Sequence, residues 1–183
     1  MSTQRVAHRY ASALLALTGE QKKPDAVAAD LRTVLNAVEA SRELRAVLAS
    51  PVISTEKKRA VVRDLFKKKV GDLALLYMDS IVLKGREGLL HDILKAYFVL
   101  RDEQLGIARV TVTAAAELSA KQEKELQKQL EAMTGKSVEL TVTVDPAVKG
   151  GFIARVGDTV LDASVKRQLE LLKQRLTQGT FTN

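Results

Sequence analysis

The sequence predicts an α+β protein in two parts. Residues 1–105 form a six-helix antiparallel bundle, and residues 106–183 form a small α+β domain with a mixed sheet. Three observations lead there. Apolar residues recur at helical spacing through the first part. At Gly106 the period switches to two. Aromatic residues make up only 4% of the chain and Trp is absent, so the cores are built from Leu, Val and Ala, which favours helix packing.

Taken in order, Thr3 to Leu17 carries Val6, Ala7, Tyr10, Ala11, Ala13, Leu14 and Leu17 at helical intervals, and Gly19 and Pro24 bracket its end. Pro24 or Asp25 opens a second helix with Val27, Leu31, Val34, Leu35 and Val38 on one face. A short third helix with Leu44, Val47 and Leu48 stops before Pro51, because the residue preceding proline resists the helical region. Ser54 or Thr55 caps a fourth, which uses Val61, Val62, Leu65 and Phe66. Gly71-Asp72 separates it from a fifth, Leu73 to Leu83. Gly85 and Gly88 flank the turn into a sixth, Leu89 to Leu105.

Beyond Gly106, Ile107 to Ala114 alternates as a strand. Ser119 caps a helix running to Met133, and Ser137 to Val144 alternates again. Phe152 to Val156 and Thr159 to Leu161 read as a hairpin returning through Gly157-Asp158. Ser164 then caps a last helix whose Val165, Leu169, Leu172 and Leu176 fall on one stripe.

Composition narrows the function classes. There is no cysteine, which excludes disulfide scaffolds, thiolate metal sites and cysteine nucleophiles. No apolar run reaches the length of a membrane span. The amphipathic first nineteen residues, with Arg5 and Arg9, share one feature with organelle transit peptides, but Ser is scarce and Glu20 follows directly. The net charge of +7 is compatible with nucleic acid, anionic lipid or an acidic protein partner.

Motifs for chemistry fail on context. Gly135-Lys136-Ser137 imitates the end of a phosphate-binding loop, yet it closes a helix and opens a strand, and Leu130 stands where the first glycine is required. A glycine helix cap explains it. His8 and His91 lie on different helices without metal-ligand spacing. Gly150-Gly151 is too short to cradle phosphate and reads as a bulge or tight strand entry. Asp162 precedes a helix and reads as a cap rather than a catalytic acid. Lys57-Lys58-Arg59 and Lys67-Lys68-Lys69 would share a helix face like a nucleic-acid footprint, but no aromatic residues are interleaved for base stacking, so a solvated face is expected. The first and fifth helices have apolar surfaces wider than one bundle contact needs. They are either central helices or the walls of a groove for an amphipathic partner helix.

Two segments resemble a known family. V-D-P-A-V-K-G-G-F-I-A-R-V-G-D-T-V-L-D-A-S-V-K-R-Q-L-E-L-L, from Val144 to Leu172, and R-Y-A-S-A-L-L, from Arg9 to Leu15, are similar to the C-terminal and first-helix motifs of the delta subunit of F-type ATP synthases, called the oligomycin sensitivity-conferring protein in mitochondria. The match is residue by residue at Arg9, Tyr10, Ala11, Ala13 and Leu14, and looser at Ile81, Val82 and Lys84-Gly85-Arg86. The resemblance implies a non-catalytic stator clamp without a cofactor, present once per complex. It implies that the first and fifth helices hold N-terminal helices of the alpha subunits through Val6, Ala7, Tyr10, Ala11, Leu14, Ile81 and Val82. It implies that the final helix meets the b subunits of the peripheral stalk through Val165, Leu169 and Leu172. The expected location is the cytoplasmic face of a bacterial plasma membrane, held there by the complex, with no nucleic-acid partner.

Overall fold

The computed structural model describes residues 3–20, 24–157 and 159–178. The chain divides into two compact units between Arg101 and Asp102. The division falls inside a helix, a few residues before Gly106. Asp102, the first residue of the second unit, accepts two hydrogen bonds from Arg109 through its carboxylate, at 2.6 and 3.1 Å.

The first unit contains α1 (Thr3–Gly19), α2 (Pro24–Ala40), α3 (Arg42–Ala49), α4 (Thr55–Phe66), α5 (Asp72–Leu83) and α6 (Leu90–Gln104) as far as Arg101, with a 3-10 turn, Glu87–Leu89, leading into α6. Local chemistry sets the boundaries. Ser41 caps α3 by accepting from the Leu44 amide at 3.0 Å. Ser54 sits in the cap position of α4 but makes no side-chain cap bond. Gly85 leaves α5 at φ +63°, a left-handed residue that lets the Arg86 amide reach back to the Ile81 carbonyl. The core is aliphatic around Leu14, Leu31, Val34, Val62, Met78, Ile81 and Leu94, with Phe66, Tyr77, Tyr97 and Phe98 the rings among them.

The second unit contains β1 (Ile107–Ala114), α7 (Ala120–Thr134), β2 (Ser137–Val144), β3 (Phe152–Val156), β4 (Thr159–Asp162) and α8 (Val165–Gln178). The sheet order is β2-β1-β3-β4; β1 and β2 run parallel and the other pairs antiparallel, so the sheet is mixed. The β1-α7-β2 crossover accounts for the parallel pair. Alternation puts Ala108, Val110, Val112 and Ala154 on one face, where Leu126 and Leu130 of α7 and Val138 close a small core. Ser119 and Gln122 form a reciprocal capping box at the start of α7, and Gly135 ends it at φ +65°. The glycine in the imitation phosphate motif is therefore a helix terminator. The hairpin strands pair Val156 with Thr159; Asp158, expected in the turn, lies outside the described residues.

Candidate partner-docking faces

On α1, the face made by Ala7, Ala11 and Leu14 is sealed inside the bundle, as are Ile81 and Val82 on α5; each is at most 2% exposed. Five of the seven side chains expected to line a groove are thus core residues that a partner cannot reach in this packing. The reason lies in helical phase. Residues 7, 11, 14 and 18 share one stripe and residues 6, 10, 13 and 17 share the next, roughly 100° around the helix. The first stripe packs inward. The second, with half-buried Val6 and Tyr10 and exposed Ala13 and Leu17, forms the accessible edge. On α5 the exposed apolar residues are Leu76 and Leu83, which sequence reasoning did not separate from their buried neighbours.

α1 and α5 are tied directly. The Tyr77 hydroxyl donates to the Tyr10 carbonyl at 2.9 Å. Burial pushes the Tyr77 phenol well above its ordinary pKa, with nearby Tyr10 adding to the effect. At the α5 end, Val6 and Arg9 share an open cleft of about 760 Å³ with the Gly85–Leu89 turn and the segment after α3.

The basic runs do not form a patch. Lys58 is buried, donating to Glu87 Oε1 at 2.6 Å and to the Leu48 carbonyl at 3.0 Å. Arg59 reaches Asp79 at 3.3 Å, and Arg63 grips the same carboxylate through Nε at 2.9 Å and through a second nitrogen. Burial would raise the Asp79 carboxyl, but the hydrogen bonds and charges of Arg63 and Arg59 outweigh it and hold the group below the ordinary carboxylate range. Lys67 to Lys69 lie beyond the end of α4, so the two runs share no helix face. The expectation of a solvated face fails at Lys58, because only the fold reveals the buried carboxylate that attracts it.

His8 is exposed and His91 bridges Glu39 at 3.3 Å and Asp92 at 3.2 Å; among the described residues no three His, Asp or Glu side chains cluster as metal ligands. Asp162 Oδ1 accepts from the Ser164 amide at 3.0 Å, and hydrogen bonding to Ser164 holds its pKa low, as a structural cap requires.

α8 is the most open feature of the second unit. Ser164 caps it, accepting from the Arg167 amide at 3.2 Å. Its start is pinned by the glycine pair: the Val165 amide donates to the Gly150 carbonyl at 3.0 Å. Gly151 sits at φ +74°, where an added Cβ would lie 2.4 Å from the Ala163 carbonyl oxygen. Beyond that anchor every described residue of α8 is exposed. Val165, Leu169, Leu172 and Leu176 are 43–66% exposed. Their 4-3-4 spacing is that of a coiled-coil seam, and here it faces solvent.

The family profile of the ATP synthase delta (OSCP) subunit matches residues 6–176. The chain belongs to the ATP synthase delta (OSCP) subunit family. It is 38% identical to the ATP synthase subunit delta of Chlorobium luteolum over 177 residues, 97% of this chain and 98% of the relative. It is equally identical to that of Salinibacter ruber over 182 residues, 100% of this chain and 96% of the relative. Among solved structures, a chain of the Toxoplasma gondii mitochondrial ATP synthase hexamer superimposes with a TM-score of 0.70 at 28% identity, covering 93% of this chain and 97% of that one. A delta/OSCP chain is a peripheral-stalk component of F-type ATP synthase. No helix among the described residues is long and apolar enough to cross a membrane.

Proposed function

We propose that this subunit is the connector of the stator. In this reading the helical unit grips N-terminal helices of the alpha subunits of the catalytic head, and α8 holds the end of the peripheral-stalk b subunits. One copy per complex keeps the head from turning with the rotor, on the cytoplasmic face of a bacterial plasma membrane, with no bond-breaking chemistry or cofactor of its own.

The observation that carries the reading is the exposed seam of α8. A helix whose apolar stripe faces water has its partner elsewhere. Each stripe residue is about half exposed, so covering it recovers on the order of 1 kcal/mol. Four such gains barely offset association costs, so the joint needs a partner that adds more than apolar area. At the head end, the edge of Val6, Tyr10, Ala13 and Leu17 with Leu76 and Leu83 supports docking of an amphipathic helix. The buried Ala7, Ala11, Leu14, Ile81 and Val82 set the position of that edge. A nucleic-acid role loses its footing once Lys58, Arg59 and Arg63 are committed to internal carboxylates.

The test is calorimetric titration with a peptide copying an alpha-subunit N-terminus, at two salt concentrations. Saturable 1:1 binding that survives salt and is weakened by Tyr10→Asp supports the connector. Absence of peptide binding together with salt-sensitive nucleic-acid binding would replace it.

A further inference from the structure

The seam of α8 is bordered along one side by a rail of lysines. With Leu169 and Leu176 at the a positions of a heptad and Val165 and Leu172 at d, Lys166 and Lys173 both fall at e. Lys149, on the left-handed turn before Gly150, joins them. It lines one groove of about 340 Å³ with Val165, Lys166, Leu169, Glu170 and Lys173. The acid in this groove is already engaged, since Glu170 lies 3.8 Å from Arg167, one turn back on α8. None of the three lysines makes an ion pair within 4 Å among the described residues. The other flank carries Gln168 and Arg175 at the g positions, so it offers no acid either.

We propose that α8 selects its occupant by charge as well as by apolar shape: the partner is an amphipathic helix whose heptad seam is bordered, on the side facing Lys149, Lys166 and Lys173, by Asp or Glu. This rests on the reading of α8 as the stalk-docking face and specifies the chemistry of the helix it takes. Flanking charges in a two-helix seam pair across it and set partner choice. Self-pairing gives the lysines no acidic partner in either orientation. Two antiparallel copies of α8 set e against e, lysine against lysine; two parallel copies set Lys173 opposite Gln168, which carries no charge to pair with it. An acidic-bordered helix satisfies the rail, excludes a second copy, and adds the electrostatic gain that four half-exposed aliphatic side chains lack.

The test uses the full chain and two designed peptides with one apolar heptad seam, bordered at e and g by Glu in one and by Lys in the other. The Glu peptide is expected to bind at least tenfold more tightly at low salt, with the preference shrinking as salt screens the rail. Lys166→Glu with Lys173→Glu is expected to remove or reverse that preference. Leu169→Asp is expected to abolish binding of both peptides. These side chains are exposed, so the variants keep the fold, which circular dichroism checks. If Leu169→Asp abolishes binding but the wild type takes both peptides equally, charge selection is overturned while the docking face stands. If peptide binding is absent, or is indifferent to Leu169→Asp, the docking face falls with it. Binding through α8 to vesicles of equal phosphatidylglycerol and phosphatidylcholine, without peptide binding, would make α8 a lipid-surface helix and overturn the proposal.

Discussion

The Tyr77 hydroxyl of α5 donates to the backbone carbonyl of Tyr10 in α1 at 2.9 Å, across 67 positions of sequence. This bond ties together the two helices whose edges are proposed to receive the head. It fixes their register with a main-chain acceptor, so the identity of the Tyr10 side chain does not enter it.

Tyr77→Phe should therefore cost about 1 kcal/mol, the net worth of one hydrogen bond, and leave the fold intact. The folded state raises the Tyr77 pKa, so it holds the phenolic proton more tightly than the unfolded chain does. The associated stability is complete below the unfolded value of about 10 and is lost as pH rises above it. Urea denaturation between pH 8 and 11 should show a steeper alkaline loss in the wild type than in Tyr77→Phe.

Asp79 gives the opposite sign. Its folded pKa is depressed, so its contribution is present above the unfolded value near 4 and disappears as pH falls through the folded one. Asp79→Ala should cost roughly 1–2 kcal/mol at neutral pH, moderated because Arg63 is half exposed and can return to water. The variant should lose less stability than the wild type between pH 5 and pH 2 in thermal melts.

Lys58→Ala strands the buried Glu87 carboxylate and should cost about 3–5 kcal/mol. Replacing both partners, Lys58→Met with Glu87→Met, should recover most of that loss, since no unpaired charge remains. A double-mutant cycle by urea denaturation measures the coupling.

Much of this architecture is legible in the chain. β2 runs from Ser137 to Val144 as expected, because strict alternation follows a glycine terminator. The glycine pair reads as a tight entry, and the structure adds what it is for, namely room for the Ala163 carbonyl beside Gly151. The α1 surface was less legible. Period-3.6 spacing identifies apolar stripes but not which of two adjacent stripes a neighbouring helix covers, so Ala7, Ala11 and Leu14 could not be told from Val6 and Tyr10. Lys58 resembled its basic neighbours because Glu87 is 29 residues away in sequence and is brought to it only by the fold.

Gly151→Ala should misplace α8 without disturbing the helical unit. The left-handed backbone alone costs about 1–3 kcal/mol, before the 2.4 Å approach to the Ala163 carbonyl is relieved. Hydrogen exchange should show protection lost at the Val165 amide and along β3, with α1 to α6 unchanged.

The central claim is that one copy of this subunit joins head and stalk at the same time. Sedimentation velocity of the subunit mixed with the catalytic head and a soluble b-subunit segment measures this directly. The connector account predicts a single ternary species containing one copy of this chain, split by Leu169→Asp into a head complex and free stalk. Mutually exclusive binding of head and stalk, or a ternary species insensitive to Leu169→Asp, would contradict it.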